Sequence, residues 1–451
     1  MAARHLTRGA RKPAREPSFV TLERLMADKP RVAIIGGGSS GVAAALELTR
    51  RKIMYVVLEQ RDDLGGIWSD EPHEASYPGL LQNTDPVLTT FDGTSWSFRP
   101  RSHATREEYA GYLAHVVLTH NIVGRIAPRI HVRGLRVTSD SMQLSVAERG
   151  CDSEFALNVE HIIYAGGIYH RRVMPCPSML EGFEGEIIHA SAIRSMADLK
   201  GRRIAILGLG NTAVDHASLL LGDASALAII ARGKTWVVPR SIAGSAIDRT
   251  AQRLRQRYPT THQEHFRRAC VAHGAKFHGQ GAWPETIDFR EARITVNSDI
   301  LKALRSGSVE VHQQLAFAKG HQLHFVDGRV FDADVIVACT GYSYVPLVPE
   351  LGASVPLLGN VLHAHIDGLW CVGCPAVWGG SPPVAQAQAR VIAHAIARGW
   401  SRDDLRRATA TAPPYEYAMD LVGPGFQVVE FGGYRRHAAH VCLEPCGDAP
   451  R

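Results

Sequence analysis

Long hydrophobic runs are missing from this chain of 451 residues. None reaches the ~20 apolar residues that a helix needs to cross a bilayer, so no membrane association is expected. Cysteine is sparse and unevenly placed, with Cys151, Cys176, Cys270, Cys339, Cys371, Cys374, Cys442 and Cys446 forming no regular framework. That usage argues against a disulfide scaffold and points to a reducing cytoplasm. Cys371 and Cys374 have redox-motif spacing, but they lie in an apolar run that reads as a late strand, where cysteines serve as small hydrophobes. The 22 histidines contain no HExxH or comparable ligand spacing, so no metal site is expected. A strong charge imbalance is also absent. The net charge is +6, yet residues 1–30 hold seven Lys/Arg against three acids, which leaves about +2 for the rest and no nucleic-acid signal. The basic start lacks the apolar core of a secretory signal and reads as a disordered extension over residues 1–29, with an organelle transit peptide as the alternative.

What the chain does have is two glycine-rich turns, 172 positions apart. The first is Gly36-Gly37-Gly38-Ser39-Ser40-Gly41, and the second is Gly208-Leu209-Gly210-Asn211-Thr212-Ala213. Each follows a short apolar run and opens a helical pattern, the context that a dinucleotide fingerprint requires. Glycine lets the backbone approach a pyrophosphate, which then rests on the amides of a helix N-terminus. Glu59 follows Gly36 by 23 residues and Arg232 follows Gly208 by 24. A carboxylate there accepts hydrogen bonds from ribose hydroxyls, whereas a guanidinium, helped by Lys234, welcomes a 2′-phosphate. The pair predicts one unphosphorylated dinucleotide, FAD or NAD, and one phosphorylated, NADP, which is the signature of a flavoprotein fed by NADPH.

The fold expected is α/β, with two Rossmann-like domains and the NADPH domain inserted into the FAD domain. The division reads as FAD domain (first part) over 30–175, NADPH domain over 176–325, and FAD domain (second part) with a C-terminal helix over 326–451. A long irregular stretch over 65–106 is of the kind that carries function. The region 249–307 is polar with helical character, and the last long helix is placed over Ala385 to Arg398.

Several further segments together resemble the class B flavin-dependent monooxygenases, the group of flavin-containing monooxygenases and their bacterial relatives, over about residues 31–395. Glu59 to Trp68, with its Gly65-Gly66-Ile67-Trp68, is similar to the family's Glu-to-Gly-Gly-x-Trp stretch. Phe183 to His189 resembles its FxGxxxH motif, Gly208 to Asp215 its second GxGxSAxD turn, and Ala338 to Tyr342 its late ATGY-like strand. The resemblance implies FAD and NADPH as cofactors and dioxygen with a soft nucleophile as substrates. It implies that one oxygen atom passes from a C4a-hydroperoxyflavin to that nucleophile. It further implies that Gly65, Gly66 and Trp68 line the flavin pyrophosphate, that Thr340 and Gly341 touch cofactor, and that Asn83 holds the reacting oxygen. His189 is read as a structural linker, and Asp215 as hydrogen-bonding within its own helix neighbourhood.

The sequence departs from the family at two places. Ala190 stands where Ser is usual after the motif histidine, and Ile193 where an aromatic is usual, Trp in the Baeyer–Villiger branch. The expected reaction is therefore N-hydroxylation of a small amine or amino-acid-like substrate, with S-oxygenation and Baeyer–Villiger oxygenation as alternatives. A disulfide reductase-like flavoprotein is disfavoured because Gly65 to Trp68 holds no cysteine. A nucleotide-binding regulator without turnover is disfavoured by the presence of Asn83 and both phosphate turns. The substrate pocket is expected between the Tyr77–Arg106 loop and the Gly373–Val384 segment. A homo-oligomer stays open.

Overall fold

Strands buried on both faces need near-continuous apolar sequence, and the segments VAII, YVVL, HIIY, RIAIL, ALAII and VIVA supply it. In the computed structural model they form the parallel cores of two open sheets. The structure describes residues 19–21, 24, 27–69, 75–138, 141–231, 235–258, 260–274, 293–343, 357–358, 361–373 and 381–410.

The first unit runs β1 (Val32–Ile35), α1 (Ser39–Arg50), β2 (Tyr55–Leu58), α2 (Arg106–Thr119) and β3 (Ile126–Ala127). A meander of β4 (Ile130–Val137), β5 (Met142–Glu148) and β6 (Glu154–Val159) leads into β7 (His161–Tyr164). In the sheet β1 pairs in parallel with both β2 and β7. Alternation decides the packing: Val32 and Ile34 face the helices, while Ala33 and Ile35 face the meander.

After β8 (Arg171–Arg172) the chain enters the second unit through β9 (Glu186–His189) and β10 (Arg203–Leu207), followed by α3 (Asn211–Leu219) and β11 (Ala226–Ile230). Next come β12 (Thr235–Val238), the hairpin β13 (Ser241–Ile242) and β14 (Ser245–Ala246), α4 (Ile247–Arg257), α5 (His262–Gly274), β15 (Arg293–Val296) and α6 (Ser298–Ser306). The unit closes with β16 (Glu310–His312), the meander β17 (Leu315–Lys319), β18 (Gln322–Phe325) and β19 (Val330–Asp332), and β20 (Val335–Ala338). Its sheet order is β16-β11-β10-β20-β9. Ile204 and Ile206 face helices and Ala205 and Leu207 face the second meander, so the layering of the first unit is repeated.

The return crossover is β21 (Tyr342–Ser343), antiparallel to β8. Then β22 (Leu357–Leu358), β23 (Leu362–His363) and β24 (Leu369–Cys371) rejoin the first sheet, with β24 parallel to β7. The helices α7 (Ser381–Arg398) and α8 (Arg402–Ala410) follow. One boundary moves from its expected place. The sequence pattern places residues 326–338 in the returning first domain, but β20 pairs with β10 and β9, so the chain leaves the second sheet only after Ala338.

Candidate active site at the seam of two nucleotide domains

Each glycine turn opens a helix directly from the end of a strand. Gly36 has φ +104, and a Cβ there would lie 2.6 Å from Ala165 O. A Cβ on Gly41 would meet Gly36 O at 1.9 Å, so α1 can start this close to β1 only with glycine. Gly38 caps α1 without any side-chain hydrogen bond, and no acidic residue sits in the first turn. The N-terminal amides are thus left for an anion. Glu59 is buried at the end of β2, its Oε2 accepting from Gly37 N at 2.6 Å and its Oε1 from Arg61 N at 2.9 Å. Burial pushes its carboxyl up, and the two amides pull it back.

Gly65 and Gly66 run beside this turn: Gly65 N donates to Gly37 O at 3.0 Å, and Gly38 bridges to Gly65. Trp68 packs edge-on against Tyr109 at 5.3 Å, and the Tyr109 hydroxyl reaches Ser39 Oγ at 3.0 Å. Gly373 abuts Ser40, since a Cβ there would sit 2.2 Å from Ser40 Oγ. The cradle fits the pyrophosphate and ribose of FAD: glycine backbone, free helix amides and a buried carboxylate converge. Tyr109 was not legible as part of it, because a tyrosine on an amphipathic helix carries no local signal.

The second turn is built alike. Gly208 has φ +129 and packs on Cys339 O, while Gly210 caps α3 with no side-chain cap and no first-turn acid. A Cβ on Gly210 would meet nothing within 4 Å, so the space above it is open. Strand β15 braces the turn, with Thr295 Oγ1 donating to Leu209 O at 2.9 Å and Val296 N donating to Asn211 Oδ1 at 3.0 Å. Thr212 follows on α3, where its carbonyl meets His216 Nδ1 at 2.8 Å. Arg232 and Lys234 lie outside the described residues.

The FxGxxxH segment is a clasp. A Cβ on Gly185 would lie 2.5 Å from the Phe183 ring and 2.7 Å from Asp334 O, which explains the spacing. His189 accepts at Nδ1 from Ser191 N at 3.2 Å, and its Nε2 donates to Gly341 O at 3.2 Å. Its ring meets Tyr342 edge-on at 5.2 Å. Thr340 Oγ1 donates to Val173 O, and Val173 N donates to Gly341 O at 3.0 Å. The Thr340 hydroxyl and the Gly341 carbonyl are therefore committed to the crossover between domains. Ala190 and Ile193 are both buried in the second domain's core.

Between the domains, the loop 76–105 of the first faces α3 and α4 of the second. Asn83 stands on this loop, and its Oδ1 is buried with no hydrogen-bond partner. His103 Nε2 and Arg240 Nε are in the same condition. Burial and the Arg240 charge both hold the His103 imidazole below its ordinary pKa. Asp215 differs from its expected local role. It is buried and accepts from Tyr77 of the facing domain, from Arg240 and from Asn297. Such contacts between residues far apart in sequence leave no spacing to read. Of the expected second wall of the pocket, residues 374–380 lie outside the described residues.

Two open, largely parallel sheets, the second unit inserted in the first and each with a glycine-rich turn that opens a helix, are the architecture of flavoproteins that take two dinucleotides. The model of the flavin-binding monooxygenase-like family matches residues 29–356, and the chain belongs to that family. It is an FAD- and NADPH-dependent monooxygenase. It is similar to a Baeyer-Villiger monooxygenase of Streptomyces coelicolor, 26% identical over 382 residues, covering 78% of this chain and 70% of that protein. It is also similar to flavin-containing monooxygenase 2 of Homo sapiens, 23% identical over 385 residues, covering 80% and 72%. In shape it matches an open crystal structure of cyclohexanone monooxygenase with TM-score 0.65 at 17% identity, over 91% of this chain and 96% of that one. Among the described residues no group of His, Cys, Asp or Glu could hold a metal ion, and no helix is long and apolar enough to cross a membrane.

Proposed function

We propose that this monooxygenase N-hydroxylates a small amine or amino-acid-like substrate at the domain seam, with Asn83 holding the reacting oxygen. The observation that carries the reading is the buried Asn83 amide end with an unmet hydrogen bond. Burying such a group unpartnered costs about 1–3 kcal/mol, so its place is justified by something that arrives there. The two ends of the amide exchange by rotation of the side chain, so Asn83 can present its donor. Bound and reduced FAD, with dioxygen, supplies an electrophilic oxygen. What the chain adds is placement: a neutral amide donor holds that oxygen without delivering the proton that would release hydrogen peroxide.

The polar character of the seam supports a small polar nucleophile over an apolar ketone. The burial of Ile193 in the second core, where the resemblance places Trp in the Baeyer–Villiger branch, supports the same choice. Baeyer–Villiger oxygenation is the second reading, favoured by the 26% identity to the Streptomyces coelicolor enzyme. The test is product formed per NADPH oxidised, across primary amines and amino acids, thioethers and cyclic ketones. Hydroxylamine is the expected coupled product, and lactone as the sole coupled product would overturn the reading. In Asn83→Ala, flavin reduction by NADPH is expected to stay within about twofold while product is replaced by peroxide. Retained product without extra peroxide would remove Asn83 from the mechanism.

A further inference from the structure

The stretch 77–85 that carries Asn83 has little regular structure of its own, yet both of its ends are fastened to the second domain. At one end the Tyr77 hydroxyl donates to Asp215 Oδ2 at 2.7 Å, in a buried contact. At the other, Asp85 N donates to Asp248 Oδ2 at 2.8 Å, and Arg249 pairs with the Asp85 carboxylate at 2.9 Å. Between them, Gln82 N donates to Ala104 O at 2.8 Å and Arg106 N to Leu80 O at 3.2 Å, which ties the loop back to its own domain.

Asp215 is itself held from three sides. Arg240 Nη2 reaches Oδ1 at 2.7 Å and Asn297 Nδ2 reaches it at 2.8 Å. Asn297 cannot swing away, because its Oδ1 caps α6 by accepting from Asp299 N and Ile300 N, each at 2.9 Å. Asp215 lies on α3, the helix that opens from the second glycine turn. The Tyr77 ring packs on His216 of the same helix at 4.7 Å. The position of the Asn83 loop is thus referred to the helix on which the second nucleotide rests.

We propose that Asp215, acting through the Tyr77 hydroxyl, is a positioning residue for oxygen transfer. It sets the loop so that the Asn83 amide meets the reacting oxygen, while leaving flavin reduction untouched. The inference rests on the role given to Asn83 above. Misplacement of about 1 Å at a reacting centre lowers a rate by on the order of 100-fold, so a loop of this kind needs an anchor. When the oxygen is not held, the two electrons of NADPH and two protons end on dioxygen, and hydrogen peroxide leaves in place of oxygenated product and water.

The experiment uses the FAD-loaded full-length enzyme without added substrate, as wild type, Tyr77→Phe, Asn83→Ala, the double variant and Asp215→Asn. Three quantities are read: anaerobic flavin reduction by NADPH, peroxide released in air, and backbone hydrogen exchange over residues 77–89. Tyr77→Phe removes only the hydroxyl. It is expected to raise peroxide release several-fold, to leave flavin reduction within about twofold, and to speed exchange in the loop. Asp215→Asn should follow it. The double variant should release no more peroxide than Asn83→Ala, because both act on one step. Peroxide at the wild-type level in Tyr77→Phe, with Asn83→Ala raised, overturns the inference and leaves the Asn83 role standing. An additive double variant, or equal slowing of flavin reduction, also overturns it. Asn83→Ala at the wild-type level overturns the parent reading and the inference with it, and loop exchange then reports whether the anchor exists without the role.

Discussion

Gly208 and Gly210 stand two positions apart and are needed for different physical reasons. At Gly208 the φ of +129 and the carbonyl of Cys339, 2.6 Å from where a Cβ would be, make any side chain a folding problem. At Gly210 the φ of −86 is ordinary and the space around a Cβ is open. Alanine there blocks only what comes from outside. Gly208→Ala is therefore expected to lower the unfolding midpoint, whereas Gly210→Ala should leave it nearly unchanged and weaken NADP⁺ binding at least tenfold. Normal binding in a stable Gly210→Ala protein would mean that the pyrophosphate does not approach this turn. Arg232 is a residue-scale expectation from sequence. Arg232→Ala should raise the KM for NADPH steeply and spare that for NADH, and equal losses with both would take away the phosphate-reading role.

At the scale of the element, α2 shows how local chemistry places a structural boundary next to the site. The helix begins at Arg106, because Thr105 and Glu108 form a reciprocal capping box. Thr105 Oγ1 accepts from Glu108 N at 3.2 Å, and Glu108 Oε2 accepts from Thr105 N at 2.9 Å. The same Thr105 bridges to Leu81, two positions before Asn83. Thr105→Ala is expected to destabilise the protein by about 1 kcal/mol, read as a shifted denaturant midpoint at constant slope. No shift would mean that the cap is replaced by water. The T-x-x-E signature was present in the sequence, so this boundary was readable. The bridge to Leu81 was not, since it joins a helix start to an irregular loop.

The described residues form two layered units, each with its own core, joined by the paired crossovers β8 and β21 and by a polar seam. Seams of this composition couple domains weakly. Unfolding is expected in two transitions, with flavin release marking the first unit and NADP⁺ raising only the midpoint of the other. Flavin fluorescence and tryptophan fluorescence in a urea titration separate them. A single coincident transition that NADP⁺ moves as one would show that the Tyr77–Asp215 and Asp85–Arg249 contacts bind the units into one cooperative body.

The two glycine turns, Glu59, the strand cores and the helix α7 were determined by the sequence alone, because each is a local pattern: a turn that only glycine permits, or an apolar period that only one element satisfies. The clasp at His189 was half readable, as a motif whose structural role was anticipated but whose partner Gly341 was not. The placement of β20 in the second sheet, the pairing of Ser39 with Tyr109 and the convergence of Tyr77, Arg240 and Asn297 on Asp215 were decided only by the tertiary structure. Each of these joins groups far apart in the chain. Such a contact depends on how the layers stack and where the domains meet, and no spacing along a single segment records it.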